Sequence, residues 1–295
     1  MALDTVPTNT LQKRIAIQGV PGAFHEIASR YFYKGNNIQI VPADTFDELI
    51  ETTSNIELSD GALMAIENTI SGSLLYNYQL LNQSDLHIVG EVSLRIRQNL
   101  MVLPGQKIED LTEVYSHPVA IAQCRKFFKQ YPHIKLIEAE DTALSAKRVW
   151  DNQMKHAGAI ASSLAASMYK LDIIADSIET YKSNYTRFLV LSTDESKVQD
   201  FNKVSICFSL PHATGSLSSV LTGLSLNNAN LTKIQSVPLP DSGFEYLFFV
   251  DFLLDRPTEE VGESKDFDSI VNVLKKHTSQ LRILGKYKEG QQYES

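Results

Sequence analysis

Cysteine is scarce in this chain of 295 residues: Cys124 and Cys207 are the only two, and they lie far apart. That argues against a disulfide framework and fits free thiols in a reducing compartment. Long apolar runs are lacking too, and none approaches the roughly 18 residues of a membrane span. The opening residues, MALDTVPTNTLQKR, hold no apolar core of a secretory signal, so a cytoplasmic location is expected. Basic residues are outnumbered 27 to 35, for a formal net charge of −8. Nucleic acid and anionic membranes are therefore not expected as partners. Zinc-type ligand spacing, a GxSxG elbow, a GxGxxG loop and a P-loop are all missing. No metal and no cofactor are expected.

What is there alternates. Strand patterns fall at 14–18, 37–41, 62–66, 112–115, 135–139 and 157–161, with two longer ones near 86–103. Helical spacing lies between them, at Phe24, Ile27, Ala28, Tyr31 and Phe32, then in 74–81, 119–130, 143–150 and 163–170. Thr45 and Glu48 suggest a capping box before Phe46, Leu49 and Ile50. Repeated βα units predict largely parallel sheets with helices on their faces. The strands near 86–103 break the rhythm and suggest a crossing between two lobes.

Composition shifts after Leu191. The stretch STDESKVQDFNK (192–203) reads as a linker, and beyond it the order becomes βαββαβ, the ferredoxin-like pattern. The tail EGQQYES reads as loose.

Ligands of open α/β sheets bind outside the carboxyl ends of strands, so the residues after each strand matter. GVPGAFHE follows the first strand, where Gly19, Pro21 and Gly22 turn the chain into a helix whose N–H groups suit an anion. ENTISGS follows the third, with Glu67, Asn68, Thr69, Ser71 and Ser73 crowded together; capping accounts for one or two of them. SHPVAIAQC brings Ser116 and His117 before a proline at a helix start, with Gln123 about two turns on. The near end of SNYTRFLVL (183–191) is odd: an apolar strand opens on Thr186 and Arg187. Amides, hydroxyls and backbone donors bind carboxylates and orient a reaction that is already downhill.

Taken together, GVPGAFHEIAS, AIENTISGSL, SHPVAIAQC, ASSLAASMYKLDII and above all NYTRFLVL resemble prephenate dehydratase. The C-terminal stretches GSLSSVL and LTKIQSVP resemble the ACT domain fused to it. The resemblance runs from Arg14 to about Tyr287 and implies a monofunctional enzyme. It implies a two-lobed, periplasmic-binding-protein-like α/β catalytic domain over 14–191, a linker over 192–203 and a ferredoxin-like ACT domain over 204–287. It implies decarboxylating dehydration of prephenate to phenylpyruvate in L-phenylalanine biosynthesis, in a homodimer or homotetramer. Thr186, Asn68, Gln123 and Ser116 match the family's catalytic positions. Gly22, Ala23, Thr69, Ser71, His117 and Phe188 are expected to touch substrate. Val119 departs from a glutamine common in relatives, which leaves that position without an expected role.

Prephenate is a dianion, and losing CO₂ and water makes it aromatic. The enzyme needs to fix the dianion and help hydroxide leave. Thr186 is a very poor acid, so hydrogen-bond stabilisation of the departing oxygen is favoured over direct proton delivery. Arg187 has the opposite strand parity, which favours a strand anchor or a partner for an acid over a ligand contact. L-phenylalanine is the expected effector, held by Gly215, Ser216 and Leu217 at a helix start and by Gln235, Ser236 and Pro238. Relatives read Glu-Ser-Arg-Pro where this chain reads Gln235-Ser236-Val237-Pro238. If the missing charges couple the ACT unit to the catalytic lobes, binding persists while inhibition weakens, the favoured reading; if they shape the pocket, the ligand preference shifts. An arogenate dehydratase is the alternative, followed by a non-catalytic two-lobed binding protein or amino-acid sensor.

Overall fold

The alternation in RIAIQ becomes β1 (Lys13–Gln18), with Ile15, Ala16 and Ile17 fully buried. The computed structural model describes residues 12–195, 198, 200–239, 245–254 and 265–295. Residues 196, 197 and 199 of the expected linker, and Phe244 of an expected strand, lie outside these. The chain continues through α1 (Phe24–Phe32), β2 (Ile38–Ala43), α2 (Phe46–Ser54), β3 (Gly61–Asn68) and β4 (Gly72–Ser73). Next come α3 (Leu75–Gln83), β5 (His87–Arg95), β6 (Asn99–Val102), β7 (Glu113–Ser116) and α4 (Pro118–Phe128). Then follow β8 (Lys135–Glu138), α5 (Thr142–Asp151), β9 (Ala157–Ala161), α6 (Ser163–Met168), β10 (Asp172–Ala175) and β11 (Tyr185–Ser192). The C-terminal part is β12 (Lys203–Ser209), α7 (Ser216–Leu226), β13 (Ala229–Pro238), β14 (Tyr246–Leu254), α8 (Lys265–His277) and β15 (Gln280–Tyr287). That is the expected βαββαβ order.

Two compact units result. Among the described residues, one comprises those within 12–63, 94–184 and 293–295; the other comprises those within 64–93 and 185–292. In the first, β1 runs parallel to β2 and to Gly61–Leu63 of β3. A five-stranded sheet in the same unit has the order β10-β6-β9-β7-β8. Its inner strands β6 and β9 are buried on both faces, as strands between two helical layers require, while the edge strands β8 and β10 stay partly exposed. Met101, Ala159 and Ala161 pack with Ala143, Ala146 and Val149 of α5, while Leu100, Val102 and Ile160 pack with Ile121 and Cys124 of α4. Thr45 caps α2, accepting from Glu48 N at 3.1 Å. The capping box closes one residue early, since Glu48 accepts from Asp44 N at 2.6 Å rather than from Thr45.

The second unit holds the rest of β3 with β11 and β5, in the order β5-β11-β3, and the antiparallel sheet β13-β14-β12-β15. Val204, Ile206 and Phe208 of β12 face Val220 and Leu224 of α7 and Ile270 and Leu274 of α8. The opposite parity, Lys203, Ser205, Cys207 and Ser209, is buried as well. Lys203, expected as the last linker residue, is the first residue of β12 and only 6% exposed. The second face is covered by the unit's earlier segments. A Cβ at Gly285 would lie 2.1 Å from Ile88 O, so β15 approaches β5 at a distance only glycine permits. Phe249 meets Tyr78 of α3 with ring centroids 4.9 Å apart, and Arg282 donates to Asn82 O and Ser84 O at the end of α3.

Candidate active site

Thr186 meets its partner in the second unit. β3 is apolar and buried up to Ile66, then reverses through Asn68 and Gly72 into β4. The Asn68 side-chain oxygen accepts from Ile70 N at 3.0 Å and Ser71 N at 2.9 Å. That fixes the amide, whose Nδ2 donates to Tyr185 O at 3.1 Å and to Thr186 Oγ1 at 3.0 Å. Thr69 adds a reciprocal pair: its N donates to Tyr185 O, and its Oγ1 accepts from Tyr185 N, each at 2.9 Å. The loop is thus laced to the first residues of β11. Because Thr186 Oγ1 accepts from Asn68, the hydroxyl's own proton points elsewhere and the group is poised as a donor. Phe188 shares the strand face of Thr186 and is only 1% exposed.

Arg187 turns the other way, as its parity requires. Its Nε donates to Glu91 at 2.6 Å, Nη1 to Asp251 at 2.6 Å and Glu67 at 3.2 Å, and Nη2 to Tyr287 Oη at 3.0 Å. Lys203 donates to the second Glu91 oxygen at 2.7 Å, and Lys233 pairs with Glu67. Ser205 Oγ donates to Asp251 at 2.5 Å. Three cations, Arg187, Lys203 and Lys233, therefore meet three carboxylates, Glu67, Glu91 and Asp251. Burial alone would raise the carboxyl pKa of Glu67 and Glu91; for Glu67 the Lys233 and Arg187 partners, and for Glu91 Arg187 and Lys203, outweigh it and hold both below the ordinary value. Burial tends to lower the Arg187 pKa, but Asp251 and its other partners raise it well above the ordinary value.

In the first unit, Gln123 lies on the buried side of α4, 8% exposed. Its Oε1 accepts from Asn184 Nδ2 at 2.9 Å, and its backbone O accepts from Thr180 N and Oγ1, each at 2.9 Å. With Oε1 taken, the group Gln123 offers a ligand is the Nε2 amide. Ser116 is fully buried, and its Oγ donates to Ile160 O at 2.7 Å, inside the sheet. His117 is the N-cap of α4, accepting from Val119 N at 3.3 Å, and burial pulls its pKa below the ordinary value. The expected anion-binding turn is closed from within. Gly22, at φ +93°, donates its N–H to Glu26 at 2.7 Å, and Ala23 N donates to Val20 O. Glu26, buried in the first turn of α1, occupies the position an anion would take.

The expected effector residues all lie in the second unit. Gly215 is the N-cap of α7 at φ +84° without a side-chain cap, and Ser216 Oγ donates to Pro211 O and Ala213 O at 2.9 Å each. Gln235 Nε2 donates to Ser236 O along β13, whose Val237 is buried. Sequence reasoning missed Asn184, Glu91, Lys203, Lys233, Asp251 and Tyr287. The available signal was a charge inside an apolar strand, as in HIVGEVSLR and YLFFVDFLL. Among the described residues, no group of three or more His, Cys, Asp and Glu is placed to hold a metal ion, and no helix is long and apolar enough to cross a membrane.

The family model for prephenate dehydratase matches residues 15–196. Arogenate dehydratase 2 of Petunia hybrida is 38% identical over 97% of this chain and 74% of its own length. Arogenate dehydratase/prephenate dehydratase 2 of Arabidopsis thaliana, a chloroplastic protein, is 39% identical over 95% of this chain and 74% of its own. Among solved structures, the quorum quenching acylase GqqA matches with a TM-score of 0.82 at 28% identity, over 94% of this chain and 98% of its own. Prephenate dehydratase of Arthrobacter aurescens, solved in complex with L-Phe, matches with a TM-score of 0.81 at 22% identity, over 94% and 90%. The α/β fold class with a C-terminal antiparallel sheet is shared with these structures.

Proposed function

The chain belongs to the prephenate dehydratase family, and from that premise we propose that it converts prephenate to phenylpyruvate. The hydrogen bond from Asn68 Nδ2 to Thr186 Oγ1 carries this reading, because it leaves the threonine proton for the leaving oxygen. In the reaction the bond from the ring to its carboxylate breaks and its electron pair enters the ring. Hydroxide leaves the opposite ring carbon and takes up a proton drawn from solvent. The products are CO₂, water and an aromatic ring. Thr186 stabilises charge on the departing oxygen, Asn68 orients Thr186, and Gln123 offers Nε2 to a substrate carboxylate. Ser116 and His117 hold the start of the helix that carries Gln123.

Arogenate is the second reading, favoured by the names of the curated relatives; it carries an ammonium where prephenate has a keto group. The catalytic function is assigned to residues 14–191, and 192–203 link it to an ACT domain at 204–287. L-phenylalanine is assigned as effector between subunits of a homodimer or homotetramer in the cytoplasm. The test is turnover by the purified protein without added metal or cofactor. Phenylpyruvate from prephenate at a higher kcat/KM than phenylalanine from arogenate supports the reading. The reverse order makes the protein an arogenate dehydratase, and turnover of neither removes the assignment.

A further inference from the structure

The loop carrying Asn68 is a hairpin in which Glu67 lies opposite Ser73 and Asn68 opposite Gly72. Its tip is tied to β11 through Thr69 and Tyr185. Its base is closed by a residue from the C-terminal sheet of the same unit. Lys233 of β13 donates from Nζ to Ser73 Oγ at 2.8 Å and also to Glu67 Oε2. One ammonium therefore clasps both strands of the hairpin, one pair before Asn68.

A bulge aims Lys233 there. The register of β13 on β14 passes from Leu231↔Phe252 to Lys233↔Asp251, leaving Thr232 as the extra residue. Thr232 Oγ1 donates to Asp251 O at 3.2 Å and holds the bulge. Lys233 thus stands opposite Asp251, whose carboxylate binds Arg187, and Arg187 reaches the other oxygen of Glu67. Each Glu67 oxygen is held by a different cation. The Lys233 side chain is 19% exposed and that of Glu67 26%, so the pair is partly withdrawn from water and not a solvated surface pair.

We propose that Lys233 is a positioning residue for the elimination: through Glu67 and Ser73 it sets Asn68, and through Asn68 the Thr186 hydroxyl. The C-terminal sheet is then a part of the catalytic arrangement. Gln235 and Val237 share the strand parity of Lys233, so a ligand that shifts this end of β13 shifts the clasp. The inference rests on the dehydratase reading above.

The test compares Lys233→Met, which keeps the stem and removes the donor, with Lys233→Arg, which restores a cation. With whichever substrate the wild type turns over, Lys233→Met is expected to lower kcat about 10- to 100-fold with KM changed less than about 3-fold. Lys233→Arg should recover most of the loss. Combining Lys233→Met with Asn68→Ala should cost no more than Asn68→Ala alone, because both act on one hydroxyl. Wild-type kcat in Lys233→Met, or fully additive losses, overturns the proposal. If Lys233→Met does not fold, Ser73→Ala removes the other end of the clasp and should lower kcat in the same sense; no loss overturns the proposal. A readout independent of turnover is the Asn68 side-chain amide signal in NMR, assigned through Asn68→Ala. It should move in Lys233→Met, and an unmoved signal overturns the proposal even if neither substrate is turned over, an outcome that would remove the dehydratase reading by itself.

Discussion

Asn68 and Thr186 lie 118 positions apart in the chain, and Asn68 Nδ2 donates to Thr186 Oγ1 at 3.0 Å. The amide has no freedom to reverse, because two backbone N–H groups hold its oxygen. The geometry makes the threonine an oriented donor and Asn68 its support.

Replacing Thr186 by valine keeps the branched shape and removes the donor. The expected loss in kcat is roughly 100- to 1,000-fold, the range for removing one oriented donor to a developing oxyanion. Thermal unfolding should change little, and Thr186→Ser should retain much of the rate. Steady-state kinetics of the three proteins decides it, and a valine variant within 3-fold of wild type contradicts the role.

Gln123 is expected to act through its Nε2. Gln123→Glu keeps an oxygen for Asn184 Nδ2 but replaces the donor with a carboxylate. KM for the anionic substrate should rise by roughly 10- to 150-fold, the worth of one hydrogen bond to a charged group, with added repulsion. An unchanged KM would place Gln123 outside the site.

The buried carboxylates set the response to acid. Glu91 is held below its ordinary pKa, so its contribution to stability is fully present above the unfolded value of about 4.3 and is lost as pH falls through the lower folded value. Glu91→Gln should cost roughly 3–5 kcal/mol at pH 7, because Arg187 and Lys203 lose a buried counter-charge. The gap in stability between the two proteins should narrow below about pH 4.3. Denaturant unfolding at pH 7, 5 and 3.5 measures it, and a constant gap refutes the coupling.

L-phenylalanine should give a heat of binding at millimolar concentration, with weak inhibition over the same range. Gly215 sits at φ +84°, where an L side chain is strained by about 1–2 kcal/mol. Gly215→Ala should therefore weaken binding about 5- to 30-fold. Calorimetry beside a rate assay tests both, and absence of binding heat removes the effector assignment.

Much of the chain was legible because short-range rules decided it. Periodicity located most strands and helices, and parity alone placed Thr186 and Arg187 on opposite faces of β11. Local competition was harder to read. The Gly22 turn looks like an anion site in sequence, yet Glu26, four residues on, reaches back and takes its N–H. Ser116 looks like a site hydroxyl, and a strand carbonyl 44 positions away claims it.

By itself, the sequence determined the βα rhythm, the C-terminal βαββαβ order and the hydroxyl at the mouth of β11, because each follows from patterns spanning a few residues. Tertiary structure alone decided what the polar faces do. β12 alternates Val, Ile and Phe with Ser and Cys, a pattern that reads as one wet face, but both faces are buried. The covering segments bring Arg187 and Glu91 against Lys203, Asp251 and Tyr287. Charges buried that deeply persist only with partners in place, and those partners lie 64 to 112 positions apart in the chain, beyond the reach of any local pattern.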